Sequence, residues 1–134
     1  MKRLLFLIAV LFAALLISMP APTSTSAAER TTKQRSVVTF DQPVTLMGFT
    51  LKGDYLFVHD DAAMARGDAC TYVYKGHAEN HDYLVLAFHC TPKERDKTAY
   101  FTLRSRRTPS GQQEITEFQF AGSIEGHSVP VAVE

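Results

Sequence analysis

The chain has 134 residues, and its 14 Lys plus Arg balance its 14 Asp plus Glu. Once a leader is set aside, this length suits one domain and not two. The lack of a basic excess argues against nucleic acid as a partner.

Met1-Lys2-Arg3 is a short basic start, followed by an unbroken apolar run from Leu4 to Ile17. As a helix this run spans roughly 21 Å, short of the roughly 30 Å hydrocarbon core, so it is sized for a signal peptide and not for a membrane span. Ser26-Ala27-Ala28 offers the small residues that signal peptidase accepts, and cleavage is predicted after Ala28. Residues 1–28 then form the signal peptide, the protein is exported to the periplasm or secreted, and no membrane span remains. Losing Lys2 and Arg3 takes Lys plus Arg from 14 to 12 against 14 Asp plus Glu, a net charge near −2.

Residues 29–36 are polar without periodicity and are expected to form a flexible arm, leaving 37–134 as the folded domain. Val37 to Phe40 is a first strand, ended by Asp41-Gln42-Pro43. Pro43 cannot donate a ladder hydrogen bond, so Val44 to Met47 starts at an edge or after a turn. Gly48 and Lys52-Gly53 punctuate the next stretch, Gly53 suits a turn with positive φ, and Tyr55 to His59 completes a hairpin. Asp60 or Asp61 can cap a short Ala-rich helical turn near residues 61–66, closed by Gly67. Cys70 to Lys75 is the next strand, and Gly76 to His81 turns it back, antiparallel, into Asp82 to Cys90.

That last run, DYLVLAFHC, is the most strand-like in the chain. Leu84, Leu86, Phe88 and Cys90 share one face and Tyr83, Val85, Ala87 and His89 the other, so the strand is apolar on both sides and is expected to lie centrally in the sheet. Thr91 to Lys97 is a charged turn, and Ala99 to Arg104 alternates as a strand. Arg106 to Gln113 is a polar loop, with Arg104, Arg106 and Arg107 forming a solvated rim. Thr116, Phe118 and Phe120 alternate with Glu117 and Gln119 in a half-exposed strand, although Ile115 falls on the wrong face. Ser128 to Val133 ends the chain as an edge strand, marked by Pro130. Seven to eight short strands and one helical turn predict an all-β fold, a single antiparallel β-sandwich or small β-barrel.

In an exported chain, Cys70 opening one strand and Cys90 closing its neighbour are predicted to form a disulfide. No Cys-x-x-Cys marks a redox centre. A metal or haem site at His59, Asp61 and His89 with a neighbouring cysteine is the alternative. It matches no zinc spacing and no haem-attachment motif, and it requires the cysteine to forgo its bridge. His77 and His81 lie in a turn and lack the glutamate placement of a zinc protease. Ser110 is in no nucleophile elbow, and adjacent Asp60 and Asp61 cannot act as a carboxylate pair, so no catalytic residue emerges.

The run GFTLKGDYLFVHDD, Gly48 to Asp61, with Cys70-Thr71-Tyr72 and Phe88-His89-Cys90-Thr91-Pro92, resembles a hairpin common in small exported bacterial proteins of unassigned function. The resemblance covers residues 38–104 and implies a bacterial envelope location without any functional residue. The leading expectation is a non-catalytic exported β domain that binds a small ligand or an envelope protein. Tyr55, Phe57, Tyr72, Tyr74 and Tyr100 are the candidate ligand face, and no cofactor is expected. The alternatives are a metal or haem binder and, last, a secreted hydrolase.

Overall fold

The computed structural model describes residues 32–130. The predicted signal peptide, its cleavage point, residues 29–31 of the arm and residues 131–134 lie outside the described residues. Eight strands form one sheet: β1 Lys33–Leu46, β2 Phe49–Asp60, β3 Thr71–Lys75, β4 Leu84–Phe88, β5 Thr91–Glu94, β6 Thr102–Arg107, β7 Gln113–Gln119 and β8 Glu125–Ser128. A short helix, α1 Asp61–Ala65, follows β2, and a 3-10 turn covers His81–Tyr83. No helix among the described residues is long and apolar enough to cross a membrane.

The all-β expectation holds, and the architecture falls on the barrel side as a curled half-barrel. The strand order is β4-β3-β2-β1-β7-β8-β5, with β6 pairing on β7. All pairings are antiparallel except β1 with β7, which meet in parallel at Thr45 and Glu114. The two ends of this order, β4 and β5, are separated in sequence by His89 and Cys90 alone. The curl therefore carries both sheet ends to a two-residue link.

Several local expectations change. Lys33 to Ser36 belong to β1 and not to an arm: they pair with β2 from Asp60 to Phe57, and Lys33 and Arg35 both bind Glu79 from the loop after β3. The β1–β2 turn is at Met47-Gly48, whose φ values of 49° and 82° supply the two positive angles that a type I′ hairpin needs. Gly53 does have positive φ, 86°, but it sits inside β2, where Asp41-Gln42-Pro43 bulge opposite Lys52. There Pro43 needs no ladder partner.

The Asp82–Cys90 run is also not central. Strand β4 ends the sheet and pairs only with β3, and Asp82 and Tyr83 belong to the 3-10 turn. Thr91 to Glu94, expected as a turn, forms edge strand β5. Of the edge strand expected over Ser128 to Val133, Ser128 ends β8, which lies between β7 and β5, Val129 and Pro130 follow outside any strand, and 131–133 lie outside the described residues. Strand β7 is buried on both faces from Glu117 to Gln119, because Arg95 and Arg104 close over Glu117 while Gln119 donates to the backbone carbonyls of Asp96 and Ser123. Ile115 reaches the core because Arg104 pairs with Glu117 but Ser105 pairs with Ile115, so Thr116 is bulged and the alternation inverts.

The concave side of the sheet is an aromatic core. Phe118 is fully buried, with ring centroids 5.7 Å from Phe57, 6.3 Å from Phe88, 6.4 Å from Phe101 and 5.8 Å from Phe120. Leu46 and Leu51, either side of the hairpin turn, are fully buried in the same cluster.

Candidate metal centre

Three side chains meet at one end of this core. His59, near the end of β2, points inward on the same phase as Tyr55 and Phe57, and it is fully buried. Cys90 closes the inward phase set by Leu86 and Phe88 and lies in the link that joins the sheet ends. His127 faces Phe118 across the β7–β8 ladder, stacks on it at 5.0 Å between centroids, and is fully buried. The curl brings the two imidazoles to 4.1 Å between centroids.

Cys90 Sγ is 3.6 Å from Nδ1 of His59 and 3.6 Å from Nδ1 of His127, and each residue offers a ligand atom within 4.8 Å of the others. A zinc ion bound by sulfur at about 2.3 Å and by imidazole nitrogen at about 2.0–2.1 Å in a tetrahedron sets its S···N edges at about 3.6 Å. Both sulfur–nitrogen edges have that length before any ion is added.

The surroundings orient these groups. Asp61 Oδ1 is 3.0 Å from His59 Nε2, which leaves Nδ1 directed at Cys90. Carboxylates hold metal-bound histidines in this way. Asp61 is fixed in turn by the Thr32 amide at 3.2 Å and the Thr32 hydroxyl at 2.5 Å. Burial raises its pKa, but these Thr32 bonds and the neighbouring His59 outweigh burial and hold the carboxyl below its usual range. Asp60 caps α1 by accepting from the Ala63 amide at 3.1 Å, so the cap aligns Asp61 in the first turn.

Electrostatics favour neutral ligands. Burial, with His59 beside it, pushes the His127 pKa down to about 4, so the ring is unprotonated at neutral pH. Among the described residues its Nδ1 has only long contacts, 3.6 Å to sulfur and 3.8 Å to Glu125, and its Nε2 has none. Among the described residues, the buried side-chain polar atoms without a hydrogen-bond partner are His127 Nε2 and Thr71 Oγ1. Thr71 stands directly opposite His59 in the β2–β3 ladder. An uncommitted polar atom costs about 1–3 kcal/mol when buried, and His127 Nε2 carries that cost at this place. Burial pushes the Cys90 thiol up to about 12, whereas a bound cation deprotonates a coordinating thiol outright.

The predicted metal set is only partly assembled. His59 and Asp61 are in contact, but His89 is exposed on the outer face, because alternation that turns Phe88 and Cys90 inward turns His89 outward. His127 takes its place, a residue to which sequence reasoning gave no role. The predicted disulfide is also not formed: Cys70 and Cys90 are free thiols with Sγ atoms 3.2 Å apart. Cys70 directly precedes β3, one position out of line with Cys90, since Thr71 pairs with Phe88, and the Cys90 sulfur is turned toward the histidines.

The candidate ligand face does not exist as one surface. Tyr55 and Phe57 are buried in the concave core, Tyr72 and Tyr74 alternate onto the opposite face of the sheet, and Tyr100 is 79% exposed in the β5–β6 connection. His77 pairs with Asp54 at 2.7 Å, His81 is exposed, and Ser110 bonds Thr108 in an exposed turn.

Cys90, His59 and Asp61 also stand in the order of a nucleophile, base and carboxylate. Yet Cys90 is 9% exposed with a raised pKa, the opposite of an activated thiol. The depressions beside Glu94–Asp96, Lys93 and Thr45 are lined by none of the three residues. No protein-family model matches the chain, and no curated protein or solved structure matches it.

Proposed function

We propose that this protein is a non-catalytic exported β domain that binds one transition-metal ion through His59, Cys90 and His127. The single observation that carries this reading is the pair of 3.6 Å contacts from Cys90 Sγ to two buried histidine nitrogens. Two imidazoles and a thiolate suit zinc or copper, whereas calcium and magnesium take oxygen ligands. The basic start, the Leu4–Ile17 apolar run and Ser26-Ala27-Ala28 support export, and the hairpin's likeness to small bacterial envelope proteins agrees with it. A haem held between the two histidines does not fit, because ring centroids 4.1 Å apart leave no space for a macrocycle between them.

The test is metal uptake by the reduced full chain, using zinc for stoichiometry and cobalt for a thiolate-to-metal charge-transfer band. The expected result is about one ion per chain with a tetrahedral cobalt spectrum. His127→Ala and Cys90→Ser should each abolish the band, and His89→Ala should leave it intact. Reduced wild-type protein that takes up neither metal overturns the proposal.

A further inference from the structure

Cys70 is placed for a role that metal binding alone does not need. It is fully buried, and its sulfur accepts the Cys90 amide at 3.4 Å and lies 3.2 Å from Cys90 Sγ. It is not one of the three residues whose ligand atoms converge. Cys90 Sγ therefore has the two histidines within 3.6 Å as co-ligands and, at 3.2 Å, a second thiol able to take the sulfur away from them.

Resting on the metal reading, we infer that the Cys70–Cys90 pair makes metal retention redox-dependent: hydroperoxide oxidation joins the two sulfurs and expels the ion. The metal-bound Cys90 thiolate attacks hydrogen peroxide, forming an S–O bond as the O–O bond breaks, and hydroxide leaves. Cys70 sulfur then attacks the Cys90 sulfenic acid. An S–S bond forms, the S–O bond breaks, and water leaves with the Cys70 proton. One thiolate, one thiol and one peroxide thus yield a disulfide, one water and one hydroxide, with two electrons passing from sulfur to peroxide oxygen.

Disulfide bonding needs the sulfurs at about 2.05 Å, so the Cys90 sulfur moves toward Cys70 and away from the histidine nitrogens. A disulfide sulfur carries no negative charge and is a poor substitute for the thiolate ligand. Cys90 lies at the link between the sheet ends and is the less buried of the pair, so a small peroxide reaches it first.

The experiment uses the reduced full chain loaded with one equivalent of zinc and exposed to hydrogen peroxide. Zinc is followed with a weak chromogenic chelator, and thiols by mass after alkylation. Wild type should release about one zinc per disulfide formed and rebind it after reduction. Cys70→Ser and Cys70→Ala should hold zinc when reduced, form no intramolecular bridge under peroxide, and rebind several-fold less zinc than wild type after reduction, because without the resolving thiol Cys90 is carried on to irreversible sulfinic and sulfonic acid. Two variants guard against loss of folding in one of them.

If the bridged wild type holds zinc as tightly as the reduced form, or if both Cys70 variants rebind as much zinc as wild type after reduction, the inference fails while the metal reading stands. If reduced wild type takes up no zinc at all, both fall.

Discussion

His59 and His127 lie 4.1 Å apart between ring centroids, although β1 and β7 separate their strands in the sheet order. Their contact exists only because the sheet curls, so the candidate metal centre is a property of the curled half-barrel and not of any one hairpin. Folding and metal binding should therefore be coupled, with the ion stabilising the curled state by an amount that grows with the logarithm of its concentration over Kd.

The first prediction concerns the carboxylate behind His59. Asp61→Asn keeps the shape but loses the anionic partner of Nε2 and weakens the Thr32 contacts. Zinc affinity should fall by about 10- to 100-fold, the usual range for removing the carboxylate behind a histidine ligand. Competition with a chromogenic chelator measures this, and unchanged affinity removes Asp61 from the site.

Much of the fold was legible in period-two alternation, and the site was legible only in part. Alternation marked Phe57 and His59, and separately Phe88 and Cys90, as sharing faces, and the same rule already set His89 opposite Cys90. His127 lay between Gly126 and Ser128 in a stretch dominated by turn and edge signals. Its phase with buried Val129 was the available clue. What brings His127 to His59 is the curl of the sheet, a nonlocal event without a signature in either segment. The position of β4 was misjudged for a related reason: apolar residues on both faces suggest a central strand, whereas β4 ends the sheet with Ala87 exposed.

Glu117 supplies the second prediction. Arg95 bonds it at 2.8 and 2.6 Å and Arg104 at 2.7 Å. The Arg95 hydrogen bonds, opposed by burial and helped by the charge of Arg104, hold its carboxyl below the usual range. A depressed carboxyl contributes stability that is present above the unfolded pKa, about 4.3, and lost as pH falls through the lower folded value. Glu117→Gln should cost about 1.5–3 kcal/mol at pH 7, and the gap to wild type should narrow below about pH 4. Urea unfolding across pH reads this out, and a gap independent of pH refutes the ionic contribution.

Gly126 is tied to the same carboxylate, and a third prediction follows from its lack of a side chain. A Cβ there would stand 2.6 Å from Glu117 Oε1 and 3.0 Å from Arg95 Cγ. Gly126→Ala should destabilise by about 1–3 kcal/mol through overpacking. Combined with Glu117→Gln it should cost less than the sum, since both changes disturb one ion pair. A double-mutant cycle with zero coupling contradicts this placement.

The β1–β2 turn yields the fourth prediction. Gly48 has φ of 82° with open space where a Cβ would sit, so Gly48→Ala tests backbone strain without a clash. It should destabilise by about 1–2 kcal/mol. Gly53→Ala, also at positive φ and also unobstructed, should cost a similar amount despite its place in a bulge. Melting temperatures falling by about 4–8 °C per kcal/mol, as for a domain of this size, provide the check.

Phe118 links the core to the candidate metal centre. Its ring stacks on His127 at 5.0 Å and 22°, and it also touches Phe57, Phe88, Phe101 and Phe120. Phe118→Leu removes the flat surface that holds the imidazole and leaves a partly filled space, at a cost of about 1.5–3 kcal/mol. Phe101→Leu disturbs the same aromatic cluster, and the rings around Phe101 are those of Phe57, Phe118 and Phe120, without His127. Zinc affinity should therefore drop several-fold more in Phe118→Leu than in Phe101→Leu, even after both are compared at temperatures where each is fully folded. Equal losses in the two variants would mean that general core packing, and not stacking by Phe118, positions His127.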